Sequence, residues 1–216
     1  MPDHGMERAP GSRAGRPLSS FDIAYEGTPT WDIGRPQGVV ARLVASGSVT
    51  GAVLDAGCGT GEHALLLAGL GHRVVGVDIS PLAVEKARVK AVARGVEVSF
   101  VVGDALELEP ALAAEAARPF DTALDVGLFH VLQPDDRRRY ARSLAAVVRP
   151  GGRALVTCWS ARNPFGYGPQ RITRTMLRRS FVAADGWRME AIEPEELETR
   201  LPVGRVDAWL ATIRRR

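Results

Sequence analysis

The sequence predicts an α/β fold built on a doubly wound sheet of seven strands, mostly parallel, with an antiparallel last strand. From residue 51 onward, short apolar runs alternate with longer helical patterns, which is the order of consecutive βαβ units. The first apolar run leads directly into a glycine-rich turn that opens a helix. Two further strand patterns follow an insertion after the fifth run, and they supply the antiparallel end of the sheet.

The five parallel strands are predicted from runs of mostly Val, Leu, Ala or Phe, a composition typical of strands buried on both faces. These runs cover residues 52–56, 73–77, 96–102, 121–126 and 154–158. Helical patterns separate them at residues 61–70, 80–94, 109–117 and 134–148. Ser80 and Pro81 place a capping side chain before a proline at the first helical position, and Pro134 opens the fourth helix similarly.

A loop rich in turn residues follows the fifth strand at residues 160–170, and we predict it to be a candidate lid. Its turn residues are Asn163, Pro164, Gly166, Gly168 and Pro169. The sequence then predicts a helix near residues 173–180, a strand around residues 187–192 and a last strand at residues 208–213.

The length of 216 residues and the apolar fraction of 45% fit one globular domain with short additions. Residues 1–18 are rich in Pro, Gly, Arg and Ser, a composition that predicts a disordered N-terminal arm. Residues 19–50 form a predicted helical cap segment, and residues 51–216 form the main domain.

The cysteines and the apolar runs bear on where the protein works. Cys58 and Cys158 lie far apart and in no metal-ligand spacing, so the sequence predicts neither a metal site nor a disulfide. No apolar run approaches the roughly 20 residues that cross a bilayer, and no apolar secretory signal precedes the domain. We therefore expect a cytoplasmic protein that does not enter a membrane.

The positive charge lies largely at the two ends of the chain. The formal charge of +3 and the pI near 9.2 owe much to terminal arginines, which usually belong to solvated tails. No platform of aromatic and basic side chains accompanies them, so the charge disfavours nucleic acid as a partner. The sequence leaves a monomer and a homodimer open.

The strongest functional signal is the glycine-rich loop at residues 53–61, which follows a buried strand and opens a helix. Gly57, Gly59 and Gly61 allow dihedral angles closed to other residues and let a ligand approach the backbone. They also direct free N–H groups of the helix start at the ligand. A dinucleotide fingerprint places its third glycine one residue later, where this chain has Glu62, so the spacing disfavours NAD.

Two more acidic residues stand at the ends of the next predicted strands. Asp78 ends the second strand, and a carboxylate there can accept hydrogen bonds from both ribose hydroxyls of a nucleoside. Asp104 follows the third strand, directly before Ala105. Because ligands of open α/β sheets bind at the carboxyl ends of the strands, this placement supports a nucleoside site. Taken singly, each aspartate could instead cap a helix.

With Asp55 ahead of the glycines, residues 53–61 resemble the first motif of the class I S-adenosylmethionine-dependent methyltransferases, which have a Rossmann-like fold. The resemblance implies that the loop cradles the methionine part of S-adenosyl-L-methionine and that Asp55 helps to hold its ammonium group. It also implies that Asp104 meets the adenine amino group and Ala105 the adenine ring. The product would be S-adenosyl-L-homocysteine.

The segment at residues 25–37 is unusually dense in aromatic, turn and charged residues for a linker. It resembles a segment of methyltransferases related to the thiopurine and halide or thiol enzymes, and of actinobacterial benzoquinone or heterocycle methyltransferases. The resemblance implies that residues 19–50 fold over the cofactor, with Tyr25, Trp31 and Arg35 near the methionine carboxylate or the acceptor. Trp31 either packs over the sulfonium by cation–π attraction or anchors the segment to the core. Further likeness occurs at residues 127–130, 148–152, 168–172 and 208–211.

The exit of the fourth strand, residues 125–130, is predicted to line the methyl-donor end of the site. It lacks the Asp/Asn-Pro-Pro-aromatic signature of enzymes that methylate nucleic-acid bases. His130 is the candidate general base, since an imidazole titrates near working pH, or else it caps the loop or packs beneath the pocket. Val126 stands where related sequences often carry Ser. Cys58 is better explained as a small side chain facing the core than as a nucleophile.

The predicted contacts divide into a cofactor set and an acceptor set. The cofactor set is Tyr25, Trp31, Arg35, Asp55, Gly57, Cys58, Gly59, Gly61, Asp78, Ile79, Asp104, Ala105, Asp125 and Val126. The acceptor set is Phe129, His130, Phe165 and Tyr167. Aromatic walls suit a flat apolar molecule, so we expect methyl transfer to O, S or N of a small aromatic or heterocyclic acceptor. An RNA or DNA methyltransferase, a catalytically silent cofactor-binding protein and a nicotinamide oxidoreductase stay open as alternatives.

Overall fold

A computed structural model describes residues 20–115, 119–164 and 169–216. The predicted N-terminal arm, residues 1–18, lies outside the described residues. Phe165 and Tyr167, two members of the predicted acceptor set, also lie outside them.

The fold is organised around one mixed sheet. Its strands are β1 (Val53–Ala56), β2 (Val74–Asp78), β3 (Ser99–Val102), β4 (Phe120–Val126), β5 (Val148–Trp159), β6 (Trp187–Glu198) and β7 (Arg205–Arg215). Across the described residues these seven strands follow the order β3-β2-β1-β4-β5-β7-β6. Strands β1 to β5 run parallel, and β7 lies antiparallel between β5 and β6. The predicted doubly wound sheet with an antiparallel last strand is confirmed.

Helices cover both faces of the sheet. They are α1 (Ser20–Glu26), α2 (Gly38–Ala45), α3 (Glu62–Gly69), α4 (Pro81–Arg94), α5 (Leu108–Ala111), α6 (Asp136–Val147) and α7 (Arg174–Ser180). Buried apolar residues of α2, α3 and α4 form a core on one face, and those of α6 and α7 form a core on the other. Within the described ranges, no helix is both long enough and apolar enough to cross a membrane.

The two N-terminal helices are attached to different parts of the main domain. Helix α1 rests on α4, where the Ser80 hydroxyl donates to Asp22 and the Lys86 ammonium donates to the carbonyl oxygen of Tyr25, each at 2.5 Å. Helix α2 packs against β6. The chain between α1 and α2 therefore crosses the carboxyl ends of the strands, which places it above the glycine-rich loop.

Strand β6 is longer than the predicted strand at residues 187–192, since it continues to Glu198. Pro194 and the glutamates around it argue against a strand, because proline cannot donate a ladder hydrogen bond. β6 is an edge strand with β7 as its neighbour, so one side of its backbone needs no partner. The edge position therefore allows a strand where the local sequence disfavours one.

Two other predicted elements differ from the structure. The helix predicted at residues 109–117 begins earlier and is shorter: a 3₁₀ turn starts at Ala105, where the Asp104 carboxylate accepts the Leu106 N–H at 2.9 Å, and α5 ends at Ala111. The strand predicted from residue 96 starts at Ser99. Val96 still donates its N–H to Ala91 at 3.0 Å, so it closes the end of α4 and does not join the sheet.

Candidate cofactor and acceptor site

A cavity of about 870 Å³ lies at the carboxyl ends of the five parallel strands. Its walls come from the N-terminal segment, the glycine-rich loop, the exits of β2 to β5, and the end of β6 with the turn after it. The predicted residues that line it are Tyr25, Trp31, Arg35, Gly57, Cys58, Gly59, Asp78, Ile79, Asp104, Ala105, Val126 and His130. The predicted residues that do not line it are Asp55, Gly61, Asp125 and Phe129.

The glycine-rich loop requires glycine for two separate reasons. Gly57, Gly59 and Gly61 have φ angles of 73°, 52° and 86°, the left-handed region that residues with a Cβ disfavour. The loop is also tightly packed against neighbouring side chains. A Cβ on Gly59 would lie 2.7 Å from the Tyr25 hydroxyl oxygen, and one on Gly61 would lie 2.6 Å from Phe100 Cζ. The bare backbone of Gly57 and Gly59 therefore forms part of the cavity wall.

Asp78 links the second strand to this loop. Its Oδ2 accepts the Gly59 N–H at 2.8 Å and its Oδ1 accepts the Ser80 N–H at 2.9 Å. Burial raises the pKa of Asp78, although these backbone hydrogen bonds act in the opposite direction. Since the carboxylate also lines the cavity, Asp78 both fixes the loop and remains available to a ligand.

Asp55 and Asp125 lie behind the loops and not in the cavity wall. The Asp55 carboxylate accepts the Ala64 N–H at 3.1 Å, which holds the start of α3. The Asp125 carboxylate accepts the Leu128 N–H at 2.9 Å and the Tyr140 hydroxyl at 2.9 Å. Burial raises the pKa of each aspartate to about 7. Both side chains therefore shape the two loops of the site without facing its ligands directly.

Tyr25 and Trp31 form an aromatic corner over the glycine-rich loop. The Trp31 Nε1–H donates to the Tyr25 hydroxyl at 3.1 Å, and the two rings meet edge to face at 6.0 Å. Phe21 contacts the other side of the indole, with ring centroids 6.1 Å apart. Trp31 is 47% exposed and faces the cavity, whereas Tyr25 is buried. Burial raises the pKa of Tyr25, so this hydroxyl stays protonated.

Arg35 lies at the rim and pairs with Glu198 at the end of β6. The guanidinium donates two hydrogen bonds to the carboxylate, at 3.2 and 2.5 Å. The Gln37 side chain adds two bonds to the Glu198 backbone, at 2.9 and 2.8 Å. Arg200 donates to the Asp32 carbonyl oxygen at 2.6 Å. These contacts tie the N-terminal segment to the β6–β7 hairpin, so the segment spans the cavity from one side to the other.

Sequence reasoning missed several residues of the cavity wall. Glu62 is held by Lys90 at 2.7 Å and Arg94 at 2.9 Å, and these cations lower its pKa although burial acts to raise it. The His63 Nε2 accepts the Gln37 N–H at 3.2 Å. Trp159, at the end of β5, and the turn after β6 complete the wall. The Arg35–Glu198 pair joins residues that are 163 positions apart, so no local sequence signal pointed to it.

Phe129 is fully buried and does not face the cavity, so its prediction as an acceptor contact is corrected. Its ring packs against Phe181, with centroids 5.9 Å apart, and the Arg137 guanidinium lies 5.7 Å from its centroid. The chain turns at residues 129–131 in a 3₁₀ helix, which directs Phe129 into the core and His130 towards the cavity. The apolar side chains that line the cavity near this turn are those of Leu128, Val131 and Leu132.

His130 is held by the backbone of β5. Its Nδ1 accepts the Trp159 N–H at 3.1 Å, and the two rings lie 6.2 Å apart. Burial lowers the pKa of His130 to about 3, so the imidazole is neutral near neutral pH. The described residues include no group of three or more His, Cys, Asp or Glu that could hold a metal ion.

Known proteins similar to this chain place it in a family. A model of the methyltransferase domain matches residues 53–152. The 2-heptyl-1-hydroxyquinolin-4(1H)-one methyltransferase of Mycobacteroides abscessus is 34% identical over 188 residues, which are 82% of this chain and 80% of that protein. The chain belongs to the S-adenosylmethionine-dependent methyltransferases.

Solved structures resemble this methyltransferase over nearly its whole length. One, from a study of the conversion of a disulfide bond into a thioacetal group during echinomycin biosynthesis, is 36% identical. It has a TM-score of 0.81 and covers 92% of this chain and 91% of that one. The 1,6-didemethyltoxoflavin-N1-methyltransferase of Burkholderia thailandensis is 25% identical, with a TM-score of 0.66 and coverage of 92% and 86%. That structure contains bound 1,6-didemethyltoxoflavin and S-adenosylhomocysteine.

Proposed function

We propose that this methyltransferase transfers the methyl group of S-adenosylmethionine to an O, S or N atom of a small, flat aromatic or heterocyclic molecule. The observation that carries the proposal is the composition of one continuous cavity. Glycine backbone and carboxylates form one end of it, and apolar side chains form the other. Its volume of about 870 Å³ falls within the range of small-molecule sites and leaves room for an acceptor beside the cofactor.

The cofactor end fits the chemical groups of S-adenosylmethionine. The backbone of Gly57 and Gly59 lines the cavity and can contact the amino-acid moiety closely. The N–H groups of residues 57–59 are engaged by the Val77 carbonyl oxygen and the Asp78 carboxylate, so the loop offers this moiety its shape and not the free N–H donors that the sequence predicted. Asp78 offers a carboxylate to the ribose hydroxyls, and Ile79 and Ala105 offer apolar surface to the adenine beside Asp104. Within the segment predicted as a cap, residues 21–37 line the cavity, and they act as the cap of this end. When bound, S-adenosylmethionine supplies an electrophilic methyl group on a sulfonium.

The chain contributes positioning and exclusion of water to the reaction. Methyl transfer from a sulfonium needs little covalent help, so alignment of the acceptor atom and a dry site account for most of the catalysis. Val126, Leu128 and Val131 supply apolar wall at the exit of β4, and Trp159 supplies it at the exit of β5. Trp31 closes the cavity from the N-terminal side. A flat acceptor fits between these walls.

The relatives support this class of acceptor. The Mycobacteroides abscessus relative is named for a hydroxyquinolinone and the Burkholderia thailandensis structure for a toxoflavin precursor, both of which are flat nitrogen heterocycles. A probable thiol methyltransferase of Arabidopsis thaliana is 31% identical over 150 residues, which are 68% of this chain and 64% of that protein. We propose a heterocyclic hydroxyl, ring nitrogen or thiol as the methylated group.

Two measurements on the purified full chain test the proposal. Isothermal titration with S-adenosylhomocysteine measures cofactor binding without any acceptor. Incubation of labelled S-adenosylmethionine with a panel of hydroxyquinolinones, thiols, phenols and quinones, followed by mass spectrometry, should then show a mass gain of one methyl group. No affinity for S-adenosylhomocysteine would disprove the cofactor site. Binding of S-adenosylhomocysteine without turnover across the panel would favour a catalytically silent binding protein.

We also propose that the enzyme works in the cytoplasm as a monomer or homodimer and does not use nucleic acid. The thiols of Cys58 and Cys158 are free and buried, which suits a reducing compartment. Many exposed arginines are paired with carboxylates, among them Arg138, Arg142 and Arg149. Binding of RNA or DNA with an affinity that falls steeply as the salt concentration rises would contradict the proposal that the enzyme does not use nucleic acid.

A further inference from the structure

The protonation pattern of His130 follows from its hydrogen bond with β5. A ring nitrogen that accepts a backbone N–H must carry a lone pair and no proton. Since the His130 Nδ1 accepts the Trp159 N–H at 3.1 Å, the proton of the neutral ring resides on Nε2. The structure therefore fixes one tautomer, with Nε2 as a hydrogen-bond donor.

The donor edge of the ring faces open space. His130 and Gly127 both line the cavity, and a Cβ built on Gly127 would lie 3.6 Å from Cε1 and 4.0 Å from Nε2 of the imidazole. Because Gly127 has no side chain, it leaves this edge uncovered. Nε2 has no hydrogen-bond partner in residues 20–115, 119–164 and 169–216, and it is not sealed from the cavity as an orphaned buried atom.

This arrangement is unsuited to general base catalysis. The lone pair that could take a proton is the one engaged by the Trp159 N–H, on the side of the ring held by the backbone of β5. Protonation of Nδ1 would set two N–H groups against each other and would put a charge on a buried ring. Burial also opposes protonation of the ring, since it lowers the pKa of His130 to about 3.

We propose that His130 donates its Nε2–H to the acceptor molecule, binding a carbonyl oxygen, an anionic oxygen or a ring nitrogen close to the atom that is methylated. This inference deepens the proposed function and rests on it. His130 then orients the acceptor and does not remove a proton from it. The methylated atom supplies the electron pair of the new bond to carbon, and the pair of the broken methyl–sulfur bond leaves with S-adenosylhomocysteine. Any proton that the methylated atom carried leaves to solvent before the transfer. The enzyme therefore selects acceptors that ionise readily or already have a free lone pair, such as N-hydroxy heterocycles and thiols.

A tautomer measurement tests the inference without any turnover. The full chain labelled with ¹⁵N-histidine and saturated with S-adenosylhomocysteine gives long-range ¹H–¹⁵N spectra, in which the loss of a signal in His130→Gln assigns His130. We expect an unprotonated Nδ1 and a protonated Nε2 throughout the range of about pH 5.5 to 8. A proton on Nδ1, or a ring that titrates within this range, would overturn the inference.

A matched pair of substitutions tests the role in catalysis, with 2-heptyl-1-hydroxyquinolin-4(1H)-one as the first acceptor probe and any methylated member of the panel as the second. Glutamine places an amide N–H near Nε2 and cannot act as a base, whereas asparagine places its oxygen near Nδ1 and cannot reach the acceptor. We expect His130→Gln to keep kcat/KM within about fivefold and His130→Asn to lose about 10- to 100-fold, since a hydrogen bond to a charged or strongly polar group is lost. Affinity for S-adenosylhomocysteine should not change in either variant.

The outcomes separate the two proposals. Equal and large losses in the glutamine and asparagine variants, with cofactor affinity retained, would restore the general base and reject the donor. If the wild-type chain binds S-adenosylhomocysteine but methylates no compound, the proposed function fails, while the tautomer spectra still decide the state of His130.

Discussion

The Asp78 carboxylate at the end of β2 accepts the backbone N–H of Gly59 at 2.8 Å, across the gap to the loop that follows β1. The same carboxylate lines the cavity. A residue predicted as a ligand from its place at a strand end is thus also a structural support of the glycine-rich loop. The two roles can share one side chain, because each carboxylate oxygen has more than one acceptor site and the second oxygen also accepts the Ser80 N–H.

Substitution of Asp78 by alanine should weaken binding of S-adenosylhomocysteine by about 10- to 100-fold, the effect of losing hydrogen bonds to an ionised group. Isothermal titration measures this directly. Glu85→Ala, on the exposed side of α4, is the matched control and should bind like the wild type. An Asp78→Ala protein with unchanged affinity would contradict both the proposed contact with the ligand and the support of the loop by this carboxylate.

Gly59→Ala should destabilise the fold and weaken cofactor binding together. The new Cβ meets a left-handed backbone, with φ of 52°, and the Tyr25 hydroxyl oxygen at 2.7 Å. Gly47→Ala separates these effects, since Gly47 has a φ of 66° but no atom within 4 Å of the position that a Cβ would take. Both variants carry a backbone penalty of about 1 kcal/mol, and Gly59→Ala should lose more because Tyr25 must move.

Denaturant unfolding measures the two losses of free energy. The double substitution Gly59→Ala with Tyr25→Phe removes the clashing oxygen and should recover part of the difference. Equal losses of unfolding free energy in Gly47→Ala and Gly59→Ala would mean that Tyr25 is not tightly packed against the loop.

Most of the sheet and the glycine-rich end of the cavity could be predicted because their signals are local. A strand buried on both faces needs a continuous apolar run, and the loop after β1 needs glycine where φ is positive. Asp78 and Asp104 stand at strand ends, a position that can be counted along the sequence. All of these features depend on residues that are near one another in the chain.

The remaining parts of the site depend on contacts between distant residues. Arg35 and Glu198 are 163 positions apart, and no periodicity connects them. Phe129 and His130 are adjacent, yet only the direction of the turn after β4 decides which side chain enters the core. β6 continues through Pro194 because it is the edge strand, which only the assembled sheet reveals.

Trp31→Ala should weaken the binding of S-adenosylmethionine and that of S-adenosylhomocysteine by the same factor, within about twofold. The indole already has edge-to-face contacts with Phe21 and Tyr25 and donates its N–H to Tyr25, so it anchors the segment over the cavity. Loss of this anchor affects both ligands alike. A selective loss of affinity for S-adenosylmethionine, which carries the positive sulfonium, would instead support cation–π attraction.

Asp55→Asn should remove a dependence of stability on pH. Burial raises the pKa of Asp55 from 3.8 to about 7 in the folded protein, so the folded state holds a proton that the unfolded state has released between these values. The contribution of Asp55 is therefore most favourable below pH 3.8, falls as the pH rises, and reaches its lowest value above about pH 7. The unfolding free energy changes through this group by at most about 1.4 kcal/mol per pH unit.

The measurement is the free energy of unfolding of wild type and Asp55→Asn across this pH window. The wild type should lose stability relative to the variant as the pH rises from 5 towards about 7, because asparagine has no proton to release. Other groups that titrate in the window cancel in the difference between the two proteins, apart from Asp125 and Asp78, the two carboxylates whose charges act on the pKa of Asp55. A ¹³C titration of the Asp55 carboxyl in the wild type provides an independent check. The prediction fails if the difference in unfolding free energy does not change with pH and the Asp55 carboxyl titrates near pH 4. That result would show that the carboxyl is hydrated in solution and that burial does not set its pKa.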